Sequence, residues 1–108
     1  MVKVIDVEEL ARWQAAKQPF QLLDVRQPEE NALAKLPESQ LIPLGELTLR
    51  VREIEQEEGV PLVVYCHHGV RSHHAANWLA HNGFDPVYSL TGGIDAWSLR
   101  IDPNLPRY

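Results

Sequence analysis

Apolar positions recur along this chain in two alternating rhythms. Asp6-Val7-Glu8-Glu9 carries the N-cap and N3 residues of a capping box, and Leu10, Ala11 and Trp13 follow on one helical face. Phe20 to Val25 reads as a mostly apolar strand, and Pro28-Glu29-Glu30 suits a first helical turn, with acids where the helix dipole favours them. Gln40-Leu41-Ile42 is a short strand stopped by Pro43. Leu44, Leu47, Val51 and Ile54 recur at helical spacing in a charged segment, which predicts an amphipathic helix there.

Pro61 to Tyr65 is a continuous apolar run with β-branched residues, the pattern of a strand buried on both faces. Ala75, Trp78 and Leu79 then line one side of a helix that ends at Asn82-Gly83, a C-cap signal. Pro86 to Leu90 is another short strand, and Gly92-Gly93 turns into a last helix over Ile94–Leu99. Strands alternating with helices at these spacings predict an α/β fold with a mainly parallel central sheet flanked by helices on both faces. No repeat or glycine/serine linker interrupts the pattern, so residues 1–108 are read as a single domain.

Charge and cysteine content narrow the partners. A net charge of −5 disfavours nucleic acid, which wants a basic face. The longest apolar run, Leu62–Cys66, is far short of the roughly 20 residues that span a bilayer, and no membrane partner is expected. The N-terminus lacks a secretory pattern, and a single cysteine, Cys66, points to a reducing, cytoplasmic setting. No Asp or Glu lies between Gly59 and Phe84, yet all five histidines and Arg71 do. An acidic chain with a carboxylate-free stretch around its one thiol is expected to meet an anion there.

Cys66 follows the most buried-looking strand, at the end where parallel α/β sheets gather their chemistry. Cys66-His67-His68-Gly69-Val70-Arg71-Ser72 lies between that strand and a helix, where successive backbone N–H groups form an anion nest. Gly69 allows a backbone conformation that a side chain penalises. Arg71 sits at a helix start, where the dipole disfavours a cation, so it is expected to face an anion or a carboxylate. Such surroundings stabilise a thiolate.

The loop resembles the Cys-x-x-Gly-x-Arg-Ser loop of rhodanese-like domains, after a Val-Val-Tyr-Cys strand end. Leu23-Asp24-Val25-Arg26 with Glu29-Glu30, Leu36-Pro37 with Leu41-Ile42-Pro43-Leu44, and Tyr88-Ser89-Leu90-Thr91-Gly92-Gly93-Ile94-Asp95-Ala96-Trp97 resemble further signatures of that family, in the right order. Ala34 to Ser39 departs from the family's usual Gly-His-Ile-x-Gly-Ala, and the tail Ile101 to Tyr108 weakly resembles the ends of rhodanese domains attached to sulfur-carrier-activating enzymes.

The resemblance implies a sulfurtransferase of the thiosulfate type. Cys66 would be the catalytic nucleophile, and His67, His68, Gly69, Val70 and Arg71 would bind the substrate. The implied partners are a small anionic sulfur donor, a thiophilic acceptor, and a sulfur-carrier or persulfide-relay protein. No cofactor is implied, and a monomer is expected. His67 and His68 are weaker cations than Arg or Lys, which disfavours thiosulfate, a dianion. Two alternatives carry less weight. A non-catalytic binding module fits poorly with Cys66, Gly69 and Arg71 all present, a redox-sensing regulatory module stays open, and a cysteine phosphatase needs five residues between Cys and Arg where this chain has four. The histidine spacing matches no closed metal site, so none is expected. Asp24 and Arg26, at a strand end near the site, are expected to serve a structural hydrogen-bond or salt-bridge role, with direct catalysis the lesser alternative, and Trp97 and Gly92-Gly93 to serve packing and backbone geometry.

Overall fold

The structure, a computed structural model, describes residues 2–108. Five strands alternate with helices: β1 (Lys3–Ile5), α1 (Val7–Ala15), β2 (Gln21–Asp24), α2 (Pro28–Leu33), β3 (Gln40–Leu41), α3 (Leu47–Arg50), β4 (Leu62–Tyr65), α4 (Val70–His81), β5 (Val87–Leu90) and α5 (Gly93–Arg100). The sheet order is β1-β5-β4-β2-β3 and every pairing is parallel. All carboxyl ends therefore point one way, and β4 lies at the centre.

The central strand sets the two cores. Its residues are all buried, as the apolar run requires of a strand covered on both faces. Leu62, Val64 and Cys66 face one cluster, with Leu23, Val25, Ala75, Ala76 and Leu79. Val63 and Tyr65 face the other, with Leu10, Leu36, Leu90, Ile94 and Trp97. α4 covers the first face, and α1 and α5 pack together over the second. The predicted α/β architecture with helices on both faces is present. No helix among the described residues is long and apolar enough to cross a membrane.

Two elements depart from the sequence reading. The amphipathic helix expected over Leu44–Ile54 is broken: 3-10 turns at Leu44–Glu46 and Val51–Glu53 flank the four residues of α3. The periodicity correctly marks Leu47 and Ile54 as buried, at 2% and 6% exposure. Pro43 enters the segment extended and Ile54 leaves it extended, so Leu44, Leu47, Val51 and Ile54 reach the core through tight turns. The edge strand β1 was not anticipated. It has three residues, of which only Ile5 is buried, too few for an alternation to register.

Asp6 caps α1 as its position predicts, accepting a 2.8 Å bond from the Glu9 amide. The chain leaves β2 through Asp24 and Arg26, both fully buried. The Asp24 carboxylate takes Arg26 Nε at 2.9 Å and Nη2 at 2.7 Å, so each buried charge meets its partner. Burial alone would lower the Arg26 pKa, but its bonds to Asp24 and Tyr108 raise it, so it remains a cation. It also donates to the Ala34 carbonyl at 2.7 Å, fixing the segment after α2.

Candidate active site

β4 ends at Tyr65 and delivers Cys66 to the start of a turn whose last residue, Gly69, caps α4 with φ +114°. That left-handed conformation suits glycine, as the sequence implied. The turn folds its amides back on the thiol: Gly69 N–H donates to Cys66 Sγ at 3.1 Å and Ser72 N–H at 3.3 Å. Two backbone dipoles and the amino end of a 12-residue helix thus converge on one sulfur, which is 1% exposed. Ser72 lies one residue beyond the predicted binding set. Its hydroxyl fastens the turn, donating to the Gly69 carbonyl at 3.2 Å and meeting Ser89 Oγ at 2.8 Å.

The outward carbonyls of the turn are held by α5. Ile94 N–H donates to the Cys66 carbonyl at 2.9 Å and Asp95 N–H to that of His67 at 3.1 Å. Gly93, with φ +60°, makes this approach possible, since a Cβ there would strike both carbonyl oxygens. The glycine pair, expected to serve backbone geometry, thus shapes the turn itself.

Arg71 meets a carboxylate, one of the two alternatives its position left open. Its terminal nitrogens reach the two oxygens of Glu30 on α2 at 2.7 and 2.9 Å. That bidentate pair holds the Glu30 carboxyl down at about 2, helped by a 3.0 Å bond from the Gln27 amide and one of 2.9 Å from the Tyr108 hydroxyl. Tyr108 in turn accepts from Arg26 Nη1 at 2.8 Å. Burial, with the negative charge of Glu30, pushes its phenol up to about 12.

His67 lies under this tail. Its ring stacks on Tyr108 with centroids 4.0 Å apart and on His68 at 3.9 Å, and its buried Nε2 has no hydrogen-bond partner. Burial and the neighbouring His68 lower its pKa. His68 is exposed, 3.6 Å from Asp95, and the Val70 side chain points outward at 70% exposure. The carboxylate-free character of the segment does not extend into space, because α2 brings Glu30 and α5 brings Asp95 against it. The histidine spacing matches no closed metal site, whereas the fold sets His67, His68 and Asp95 with one ligand atom each within 4.8 Å of one another.

A cleft of about 370 Å³ opens on the outer side of the turn, lined by Val4, His68, Val70, His73, His74 and Thr91 among others, with no carboxylate. The larger cavity, about 640 Å³, lies by α1 and Pro37 and touches no residue of the turn.

Comparison with known proteins bears on the family and the fold. The family model described as a rhodanese-like domain matches residues 6–100. A sulfurtransferase of Allochromatium vinosum is 36% identical over 98 residues, covering 91% of this chain and 90% of that protein. The chloroplastic rhodanese-like/PpiC domain-containing protein 12 of Arabidopsis thaliana is 40% identical over 112 residues, and the match spans only 38% of its length. The crystal structure of a rhodanese-like domain protein from Staphylococcus aureus superposes with a TM-score of 0.82 at 29% identity, over 99% of both chains.

Proposed function

The chain belongs to the rhodanese-like domain family, and we propose that residues 1–108 act as one sulfurtransferase domain that carries sulfane sulfur as a persulfide on Cys66. The observation that carries this reading is the pair of amides, from Gly69 and Ser72, aimed at the only cysteine of the chain. A thiolate is the competent nucleophile, and a persulfide bears negative charge on its outer sulfur at neutral pH. Both are stabilised by the same donors.

Two half-reactions follow. The Cys66 thiolate attacks the outer sulfur of a donor such as thiosulfate or a protein persulfide. A new S–S bond forms as the donor's own S–S (or sulfur–sulfonate) bond breaks, and sulfite or a thiol leaves. A thiophilic acceptor then attacks the outer sulfur and the Cys66 thiolate departs. Gly69 and its neighbours hold the sulfur through backbone N–H groups, Arg71 fixes the turn through Glu30, and His67 and His68 form its rim. The chemistry requires no metal or organic cofactor. The proposal places the domain in a reducing cytoplasm, working as a monomer with a small donor, a thiophilic acceptor or a relay protein.

Cys66→Ser tests it. With thiosulfate or a small persulfide as donor and cyanide as acceptor, thiocyanate formation should fall to background, and the wild-type mass should rise by one sulfur atom after donor treatment. Turnover in the serine form at the wild-type rate refutes the proposal.

A further inference from the structure

The arginines around the Cys66 turn are already engaged with carboxylates. Arg71 gives both terminal nitrogens to Glu30, Arg107 lies 2.9 Å from Asp95, and Arg26 is buried on Asp24. Glu30 is tied on every side, with Gln27 N–H on Oε1 and the Tyr108 hydroxyl on Oε2 in addition to the arginine. Its side chain is 19% exposed and stays ionised through the neutral range. His67 is held toward the neutral form by burial and by His68, and His68 itself faces Asp95. The groups left to meet an incoming anion are backbone amides, a helix amino end and, in the outer cleft, the imidazoles of His73 and His74. These suit a single charge at a sulfur, and a second negative charge on the donor gains most from a full side-chain cation such as a free guanidinium.

We infer that Glu30 is the specificity-determining residue of this site: by occupying Arg71 it selects donors of the persulfide class, R–S–SH, whose sulfane group carries at most one negative charge, over dianionic thiosulfate. This rests on the reading that Cys66 accepts sulfur. The thiolate attacks the outer sulfur of R–S–SH, the Cys66 S–S bond forms while the R–S to S bond breaks, and the electron pair leaves on RS⁻. The proton of the outer sulfur passes to RS⁻, leaving a thiol and a Cys66 persulfide anion. No oxidant or reductant enters. Tyr108 acts through Glu30 as a positioning residue, because its hydroxyl holds one carboxylate oxygen in place.

The test compares kcat/KM for thiosulfate and for cysteine persulfide in the wild type, Glu30→Gln and Tyr108→Phe, with cyanide as acceptor and melting curves to verify folding. The wild type should prefer the persulfide by at least about tenfold. Glu30→Gln should raise the thiosulfate-to-persulfide ratio about tenfold, chiefly through the KM for thiosulfate and with a steeper salt dependence. Tyr108→Phe should move the ratio the same way by less. Equal use of both donors by the wild type, or a ratio unmoved or lowered in Glu30→Gln, overturns the inference. A binding arm keeps it separate from the catalytic reading. Calorimetric titration of thiosulfate into Cys66→Ser and into Cys66→Ser with Glu30→Gln should show tighter binding to the second, and equal or weaker binding overturns the inference. Failure of both donors to add sulfur to wild-type Cys66 would instead refute the sulfurtransferase reading, with the binding comparison still deciding the role of Glu30.

Discussion

At the scale of single residues, the turn around Cys66 is shaped as much by what lies behind it as by its own sequence. Gly93 is the clearest case. Its φ of +60° and the two carbonyl oxygens facing its missing side chain leave no room for a Cβ. Gly93→Ala should therefore displace the turn, lowering the melting temperature by an amount equivalent to about 1–3 kcal/mol. Sulfur loading of Cys66, followed by mass, should slow at least tenfold. A fully active alanine variant would show that α5 does not set the geometry of the turn. The Asp24–Arg26 pair makes a second residue-scale case. Asp24→Asn leaves a buried guanidinium without its charge partner and should cost about 3–5 kcal/mol in denaturant unfolding. The motif letters exposed Gly93 and Asp24 to view, but Ser72 and Tyr108 were harder. Ser72 belongs to the motif, while its amide contact with the sulfur depends on the helix geometry of α4. Tyr108 lies 42 positions from Cys66 in sequence (108 − 66), and nothing local tells a tail tyrosine that it will stack on His67.

At the scale of elements, the strands and long helices were legible because burial writes a period into them. β4 is buried on both faces and reads as an unbroken apolar run, and α4 shows its core face in Ala75 and Leu79. The segment from Leu44 to Ile54 shows where that logic stops. A helical period reports which residues face the core, and successive 3-10 and α turns satisfy the same period as one helix. Two substitutions on this segment separate burial from helix formation. Leu47→Ala removes a side chain that is 2% exposed and should cost about 2–4 kcal/mol, whereas Leu49→Ala, at 86% exposure, should change stability by about 0.5 kcal/mol or less. Comparable losses from the two would mean a different packing of the segment. β1 escaped notice for the opposite reason, because a three-residue edge strand with two exposed positions writes almost no pattern. Its pairing with β5 comes from the backbone, with Thr91 N–H closing on the Ile5 carbonyl at 2.8 Å.

At the scale of the whole molecule, Glu30 ties three distant parts of the chain at the carboxyl end of the sheet: α2, which carries it, α4 through Arg71, and the tail through Tyr108. The tie has a pH signature whose sign follows from the shifts. The Glu30 carboxyl is lowered from 4.5 to about 2, so its contribution to stability is complete above the unfolded value and is lost as the pH falls through the 4.5 to 2 window. With solvent screening of a pair whose arginine side chain is 34% exposed, the loss should be on the order of 1–2 kcal/mol. Tyr108 works in the other direction. Its phenol is raised from 10 to about 12, so its contribution is present below pH 10 and disappears as the pH rises toward 12. Denaturant unfolding as a function of pH separates the two limbs. Glu30→Gln should be less stable than the wild type at neutral pH and should flatten the acid limb, the two curves converging near pH 2. Tyr108→Phe should keep most of the acid limb, since Arg71 and Gln27 still hold the carboxylate, and should flatten the alkaline one. Parallel curves for wild type and Glu30→Gln across the acid window would mean that the carboxylate is not held by Arg71, and the tie between helices and tail would have to be sought in the apolar packing of Leu105 and the ring of Tyr108 alone.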